Sequence, residues 1–511
     1  MATFLTRRFL ASVLVLLAAS FIVYQLAANA GDPLEDLRAS NARNKQELIE
    51  ARIRNMQLDV PSPLRYFLWL GGVLKGFIGQ LDLGTDRKGQ PVITQLGAAM
   101  GSTLQLVTTA TLIAIVLGIA IGITTALRQY TAYDYGVTFI SFLFFSLPIF
   151  WLAVMLKQYL AIGFNDFLQD PVIPPVVIVG IAVIGGFLWA VILGGNWKRR
   201  LITFAIAAAA TAAALTFLSV TNWFSTPTLG PVVIAVLGAG IAVLVTTLST
   251  GLSNRRSLYT ALAVVVILLI AYYPLQYVFV STSLPVILGL AVAVVAVGMV
   301  VGLLFAGPDR WQSARTGGIT ALLVGGLILL DRFVQSWAIY TGSNQISGRP
   351  IGTIGSQTPD LGSNSFWITG IDSFTHLLLP TAALLLASLA GYTRYSRASL
   401  LDVMNQDYIR TARAKGLTER TVVMRHAFRN ALIPITTIIA FDFGAVIGGA
   451  IVTERVFGWS GMGAMFNAAL PLVDVNPIMG VFLVTGISAV VFNLIADLVY
   501  SALDPRIRVT A

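Results

Sequence analysis

Long apolar runs separated by short polar breaks fill most of the 511-residue chain. Three come first, at Phe9–Ala28, Thr103–Leu127 and Gly136–Phe164. Six follow, at Val172–Leu193, Leu201–Val220, Gly230–Thr250, Leu258–Val280, Leu284–Phe305 and Gly317–Tyr340. The last three are the run begun by His376 and Pro380, then Ala431–Thr453 and Ile478–Leu503. Each is close to the ~20 residues that carry a helix across a bilayer. The pattern predicts an all-α, polytopic membrane protein with about twelve spans. Outside the runs, the long polar stretch is Asp32–Gln95. Within it Leu48, Ile49, Ile53 and Met56 recur at helical spacing and predict a water-exposed amphipathic helix over Asn44–Leu58.

Composition narrows the class. Hydrophobic residues make up 56% of the chain and charged residues only 11%, whereas soluble domains carry roughly 25% charged residues. A soluble enzyme is excluded. Without cysteine there is no disulfide or zinc–thiolate chemistry. His376 and His426 stand far apart in sequence, in no ligand cluster, so neither a metal nor another cofactor is expected. The formal charge of +10 is explained by basic cytoplasmic loops rather than by nucleic acid. NWKRR, SNRR and GPDRWQSAR are basic, while the alternating TNWFSTPT and STSLP carry no charge. Six crossings that start and end outside put all three basic loops in the cytoplasm.

Several residues inside the runs are informative. Arg7 and Arg8 precede the first run, and Ala28-Asn29-Ala30 resembles a signal-peptidase site; the run is longer than a signal h-region, so a retained span is expected over a cleaved one. Gly118 and Gly122 lie four apart, which permits close helix approach in lipid. Pro148 should bend the third span. Lys157 is expected to snorkel to the outer surface, and Asp331-Arg332 to form a local ion pair or interface anchor. Asp442 sits near the centre of its run, where a carboxylate costs about 2.5–3.5 kcal/mol on insertion scales. Two readings stay open: attraction for a substrate's ammonium group, or a carboxylate satisfied by hydroxyls or held neutral. With Asn493 in the last run, it is nominated for a translocation path.

The most distinctive stretch lies between two apolar runs, DYIRTARAKGLTERTVVMRHAFRNALIP from Asp407 to Pro434. It carries Arg410, Arg413, Lys415, Arg420, Arg425, His426 and Arg429 against Asp407 and Glu419. The spacing predicts one short helix over Tyr408–Lys415 stopped by Gly416, and a second capped by Thr418 with an apolar stripe of Val422, Val423, Phe428 and Leu432. Such a segment is a docking element for another protein or a solvated basic loop.

RTARAKGL resembles the EAA coupling loop of bacterial ABC-importer permeases in the dipeptide/oligopeptide family, with Gly416 on the family's glycine. Arg410-Thr411-Ala412 stands where the general motif has Glu-Ala-Ala, and Arg429 where many relatives have proline. TLQLVTTATLIAIVLGIAIGITTALRQYTAYDY, ERVFGWSGMG and NLIADLVYSALDPRIR also resemble the family, over about residues 1–165 and 345–511. The resemblance implies a B-type permease subunit with a six-helix core and about six inserted helices. Residues 1–165 would be the first half of the core, 166–341 an inserted hydrophobic bundle, and 342–511 the second half with the coupling loop 407–430. It further implies a multi-pass protein of the bacterial inner membrane with both termini cytoplasmic. Its partners would be two cytoplasmic ABC ATPase subunits, a C-type permease subunit as heterodimer, and an extracytoplasmic solute-binding protein. ATPase coupling would fall to Arg410, Thr411, Ala412, Ala414, Lys415, Gly416 and Leu417. The cargo would be dipeptides or oligopeptides, with nickel complexes or oligosaccharides as alternatives.

No G-x-x-x-x-G-K-[ST] stretch occurs, so the chain has no phosphate-cradling loop of its own and is expected not to be an enzyme. A secondary ion-coupled transporter is the rival, and it would call for internal repeats and several intramembrane acids. A membrane-embedded enzyme would call for clustered acids or histidines, and none stands out.

Overall fold

The computed structural model describes residues 2–252, 254–305, 310–362 and 365–503. Among them the chain is helical throughout, and the one β feature is an isolated antiparallel bridge between Thr85 and Pro91. Nine described helices are long and apolar enough to cross a membrane. The number becomes eleven when two bent pairs, Ala132–Ser146 with Ile149–Phe167 and Arg255–Ile270 with Tyr272–Ser281, each count as one span. The run expected at Ala431–Thr453 is the Phe428–Gly449 helix, several of whose side chains lie outside the described residues. The terminus 504–511 and the side chain of Asp497 also lie outside them. The chain is an all-α polytopic membrane protein. The apolar runs became helices because only a helix satisfies its backbone internally in lipid.

The chain divides into two compact units. The first comprises Met1–Ala161, Thr353–Ser356 and His376–Ala511. Its longest early helix, Val92–Leu127, buries Val92, Leu96, Leu106 and Val107 together with a series of small residues. Ala99, Thr103, Ala110, Thr111, Ala114, Gly118, Gly122 and Thr125 are buried, while Leu104, Leu112, Val116 and Leu117 are exposed. Lipid tails are as apolar as leucine, so close backbone approach replaces the hydrophobic effect as the reason for helices to pack. A Cβ at Gly118 would run into Tyr392, and one at Gly122 into Ser396 and the Thr393 carbonyl. The expected small-residue contact is therefore made, against the Phe366–Met404 helix.

Breaks in the helices of this unit are sealed by ionisable side chains. Glu454 is fully buried. It accepts hydrogen bonds from Thr103 Oγ1 at 2.6 Å, the Gly463 amide at 2.6 Å and the Ala464 amide at 3.1 Å. Those amides are the unpaired first donors of the Met462–Ala469 helix. A Cβ at Gly461 would occupy the space of the Glu454 carboxylate, which explains a glycine in the GWSGMG turn. Asp134, also buried, accepts from Arg397 Nε at 2.8 Å and Nη2 at 2.9 Å, and from the Tyr130 amide at 3.0 Å. Pro148 marks a 103° break between Ala132–Ser146 and Ile149–Phe167, where a bend is expected. Lys157 departs from expectation. Half-buried, it donates from Nζ to the Val456 carbonyl at 3.3 Å, closing the C-terminal end of the Ile451–Phe457 helix.

The first helix, Ala2–Ala28, is part of this core. Tyr24 and Ala27 pack in one buried cluster with Tyr66, Trp69, Val475 and Ile478, and Ser20 Oγ lies 2.8 Å from Tyr66 Oη. The amphipathic segment expected over Asn44–Leu58 is the Lys45–Met56 helix. Arg52 and Arg87 both pair with Asp36. Nearby Asp474 is buried and accepts the Arg87 amide at 2.8 Å. Burial pushes its carboxyl up to about 6, the Asp86 charge adding to the effect and the Arg87 amide opposing it.

The second unit comprises Ile162–Gly352 and Gln357–Thr375. It contains Pro175–Leu193, Trp197–Val220, Gly230–Ser249, Arg255–Ile270, Leu284–Leu304 and Arg310–Gln335. Close packing again rests on small residues: a Cβ at Gly298 would meet the Gly317 carbonyl. Asp331 is fully buried, and its described partners do not include Arg332. It accepts from the Leu229 amide at 2.7 Å, Tyr272 Oη at 2.6 Å and Gln335 Nε2 at 2.8 Å. The adjacent pair is thus no local ion pair, because a carboxylate turned inward can serve the start of the Gly230–Ser249 helix. Asp372 likewise accepts the Thr358 amide at 2.9 Å and Tyr340 Oη at 3.0 Å.

Three outcomes follow from these contacts. Glu454→Ala leaves two amides and a hydroxyl without their acceptor, at about 1–3 kcal/mol for each stranded group. The detergent-solubilised variant should melt far below wild type, with Glu454→Gln in between. Arg397→Ala strands the buried Asp134 charge and should cost about 3–5 kcal/mol, while adding Asp134→Ala to it should recover part of the loss. Asp474 has a folded pKa above its ordinary 3.8, so its ionised form opposes folding at neutral pH. That cost fades as pH falls through about 6 towards 3.8. Melting curves should therefore show a component of roughly 1 kcal/mol gained between about pH 7 and 5 that is absent in Asp474→Asn.

Candidate functional site

The basic segment opens with an eight-residue helix, Asp407–Ala414. Ile409 and Ala412, three apart, face one side and are buried with Ala126, Leu400, Val422, Ala427 and Ala431. The helix stops at Gly416, whose φ is +76°. The Gly416 amide donates to the Arg413 carbonyl at 2.9 Å and the Leu417 amide to the Ala412 carbonyl at 3.4 Å. This is the paired closure of a left-handed glycine cap. Nothing lies within 4 Å of where a Cβ at Gly416 would stand, so the glycine is required by backbone conformation and not by space.

Thr418 then caps the next turn by accepting the Thr421 amide at 3.4 Å. The second helix differs from the expected regular one. Glu419–Thr421 passes into a π-turn, Val422–Ala427, which runs into Phe428–Gly449. Val422, Val423 and Ala427 are buried there. The wider turn brings these three residues of the VVMRHA stretch to the core side, a placement that a strict 3.6-residue period does not supply.

Two residue pairs brace the segment. Arg413 Nε and Nη2 donate to the two Glu419 oxygens at 3.1 and 2.6 Å, across the glycine turn. The Arg413 guanidinium holds the Glu419 carboxyl below its ordinary value, so the clamp is present at neutral pH. Asn430 Nδ2 donates to Tyr408 Oη at 3.0 Å, joining the two ends. Neither pair was evident from the sequence, although an acid six residues after an arginine with a glycine between them is the signature of the first. Arg410, Thr411, Ala414, Lys415, Gly416 and Leu417 are all exposed. Ala412 is not: it is buried in the seat of the segment.

The nominated path residues lie on two helices that pack together, Phe428–Gly449 and Val475–Leu503. Asp442 is half-buried and faces the Tyr392 hydroxyl of the Phe366–Met404 helix, the same tyrosine that packs on Gly118. Asn493 is exposed on its helix. Arg394, one turn from Arg397, places its guanidinium 4.4 Å from the Phe145 ring centre, an arrangement favourable to the cation. The basic residues at the end of that helix are therefore structural contacts rather than free loop charge.

Residues 262–509 match the family described as binding-protein-dependent transport system inner membrane component. The chain is 25% identical over 510 residues, covering all of both proteins, to the oligopeptide transport system permease protein OppB of Mycobacterium tuberculosis (strain ATCC 25618 / H37Rv). It is 46% identical over 137 residues, 27% of this chain and 43% of the relative, to the oligopeptide transport system permease protein AppB of Bacillus subtilis (strain 168). Over 139 residues, 27% of this chain and 45% of the relative, it is 41% identical to the glutathione transport system permease protein GsiC of Escherichia coli (strain K12). Residues 262–509 thus carry the binding-protein-dependent transport system inner membrane component, and with its polytopic helical fold the chain is similar along its whole length to B-type peptide permease subunits.

Proposed function

We propose that this chain forms one half of the membrane path of an ATP-driven peptide importer and carries ATPase movement through Asp407–Asn430. The observation behind this reading is the construction of that segment. Buried apolar residues anchor it to the core, while Arg410, Lys415, Gly416 and Leu417 project from its exposed side. A rigid cap that is fixed to transmembrane helices on one face and free on the other transmits displacement. A flexible basic loop would absorb it. The segment also runs directly into Phe428–Gly449, which carries Asp442. A push on the cap thereby acts on the helix nominated for the path, provided the ATPase binds the two states differently.

Two ATPase subunits would dock on the cap, a C-type permease subunit would complete the path, and a solute-binding protein would deliver cargo from outside. In this arrangement the cap and both termini are cytoplasmic, as the positive charge of the loops suggests. Peptides are the cargo class, by likeness to the oligopeptide and glutathione permeases; nickel complexes and oligosaccharides are alternatives. Residues 166–341 would be an inserted helical module, 1–165 and 342–511 the two halves of the core. Asp442 and Asn493 would line the path, with Asp442 attracting the peptide ammonium.

The segment is tested by substitution at its turn. Gly416→Ala forces a side chain into left-handed backbone, at about 1–2 kcal/mol, and should reduce peptide uptake by cells. Gly416→Asp adds an anion to the docking face and should lower uptake at least tenfold while the protein remains inserted in the membrane. Wild-type protein purified from its own membrane should bring ATPase subunits with it, and the Gly416→Asp protein should not. Normal uptake by Gly416→Asp, or wild-type protein without an ATPase, would overturn the assignment in favour of an ion-coupled transporter centred on Asp442.

A further inference from the structure

Within the second unit, an open groove of about 970 Å³ runs between the helices Gly230–Ser249 and Arg310–Gln335. Its wall on one helix is Trp311, Arg315, Ile319 and Leu323, four residues apart and hence one above the other. Leu244 and Leu248 face them from the other helix, both largely exposed. The base is tied by Gln312 Nε2, which donates to the Ser249 carbonyl at 3.0 Å, and by a 2.8 Å contact between Ser249 Oγ and Thr316 Oγ1.

We infer that this groove binds one anionic phospholipid, its phosphate held by Arg310 and Arg315 and an acyl chain lying along Leu248, Ile319 and Leu323. Charge complementarity carries the assignment. Both arginines are exposed, have no acidic partner among the described residues, and line a groove whose other walls are apolar apart from Ser249 and Gln312. Arg255 and Arg256 are exposed at the same end, beside the contact between Ser257 Oγ and Ser313 Oγ at 3.2 Å. No acidic residue lines the groove among the described residues. Length agrees as well. From Trp311 to Leu323 a helix rises about 18 Å, close to the ~15 Å of hydrocarbon in one leaflet. Trp311 is then at headgroup depth, where indoles settle. The arginine end carries the basic loops that the charge pattern assigns to the cytoplasm, and anionic lipids concentrate in that leaflet.

The test is a lipid titration of the full-length protein in detergent, with bound lipid counted by native mass spectrometry. Wild type should hold one phosphatidylglycerol at least tenfold more tightly than phosphatidylcholine. Arg310→Gln with Arg315→Gln should weaken phosphatidylglycerol about 25-fold, roughly fivefold per arginine, and leave phosphatidylcholine unchanged. Leu323→Trp, which fills the slot and keeps both charges, should weaken both lipids. Arg199→Gln with Arg200→Gln, on another helix at the same end, should change neither. Equal affinity for the two lipids in wild type would overturn the proposal. So would a headgroup preference that survives the double substitution. Indifference to Leu323→Trp would reduce the effect to general surface charge, and displacement by equimolar inorganic phosphate would make the site one for free phosphate; either result also overturns it. None of these measurements depends on transport, so failure here leaves the importer reading standing.

Discussion

Backbone polar groups in a bilayer have no water to turn to, and every break in a spanning helix must be closed by something within the chain. Most of the architecture follows from how this chain meets that demand. Glu454 receives the first amides of Met462–Ala469, and Asp331 receives those that begin Gly230–Ser249. Asp134 takes the Tyr130 amide, Asp372 that of Thr358, and Lys157 supplies a donor to the Val456 carbonyl. Four of these ionisable residues act at helix ends, and Asp372 pins the connection at Thr358. A protein with so few charges places several of them at its joints. Asp442, by contrast, faces the Tyr392 hydroxyl.

Between those joints, small residues mark where helices approach most closely. The buried face of Val92–Leu127 mixes small residues with Val92, Leu96, Leu106 and Val107, and its small residues from Ala110 to Thr125 line the half that meets the Phe366–Met404 helix. The closest approaches, at Gly118 and Gly122, hold the Phe366–Met404 helix where Tyr392 meets Asp442. Spacing of small residues sets which helices touch, and the carboxylates set where each helix starts and stops.

The class, the spans and the stop at Gly416 were legible in the sequence because each depends on local physics: run length, charge bias and a glycine after a short amphipathic helix. The bend at Pro148 and the contact of Gly118 with its neighbour belong to the same category. What sequence did not disclose was partnership over distance. Asp331 beside Arg332 reads as an ion pair, yet the carboxylate turns to an amide about a hundred residues away in sequence. Lys157 reads as a snorkelling cation, and its partner is a carbonyl some three hundred residues on. In the candidate site, the exposed basic residues were visible as charge. The burial of Ala412, the clamp from Arg413 to Glu419 and the π-turn over Val422–Ala427 depend on the seat beneath them, which only the tertiary structure supplies.

The anchoring of Asp331 has a consequence for how the second unit can change over generations. Two of its described partners, at Leu229 and Gly230, are backbone amides, which no substitution except proline removes. The other strong partners are Tyr272 and Gln335, the latter one helical turn along. The lipid-facing surface can therefore drift freely among apolar residues while the bundle keeps its register. A diverged copy of this unit would share little with it in sequence. Its signature would be an Asp and a Gln four apart, with a tyrosine about sixty residues earlier.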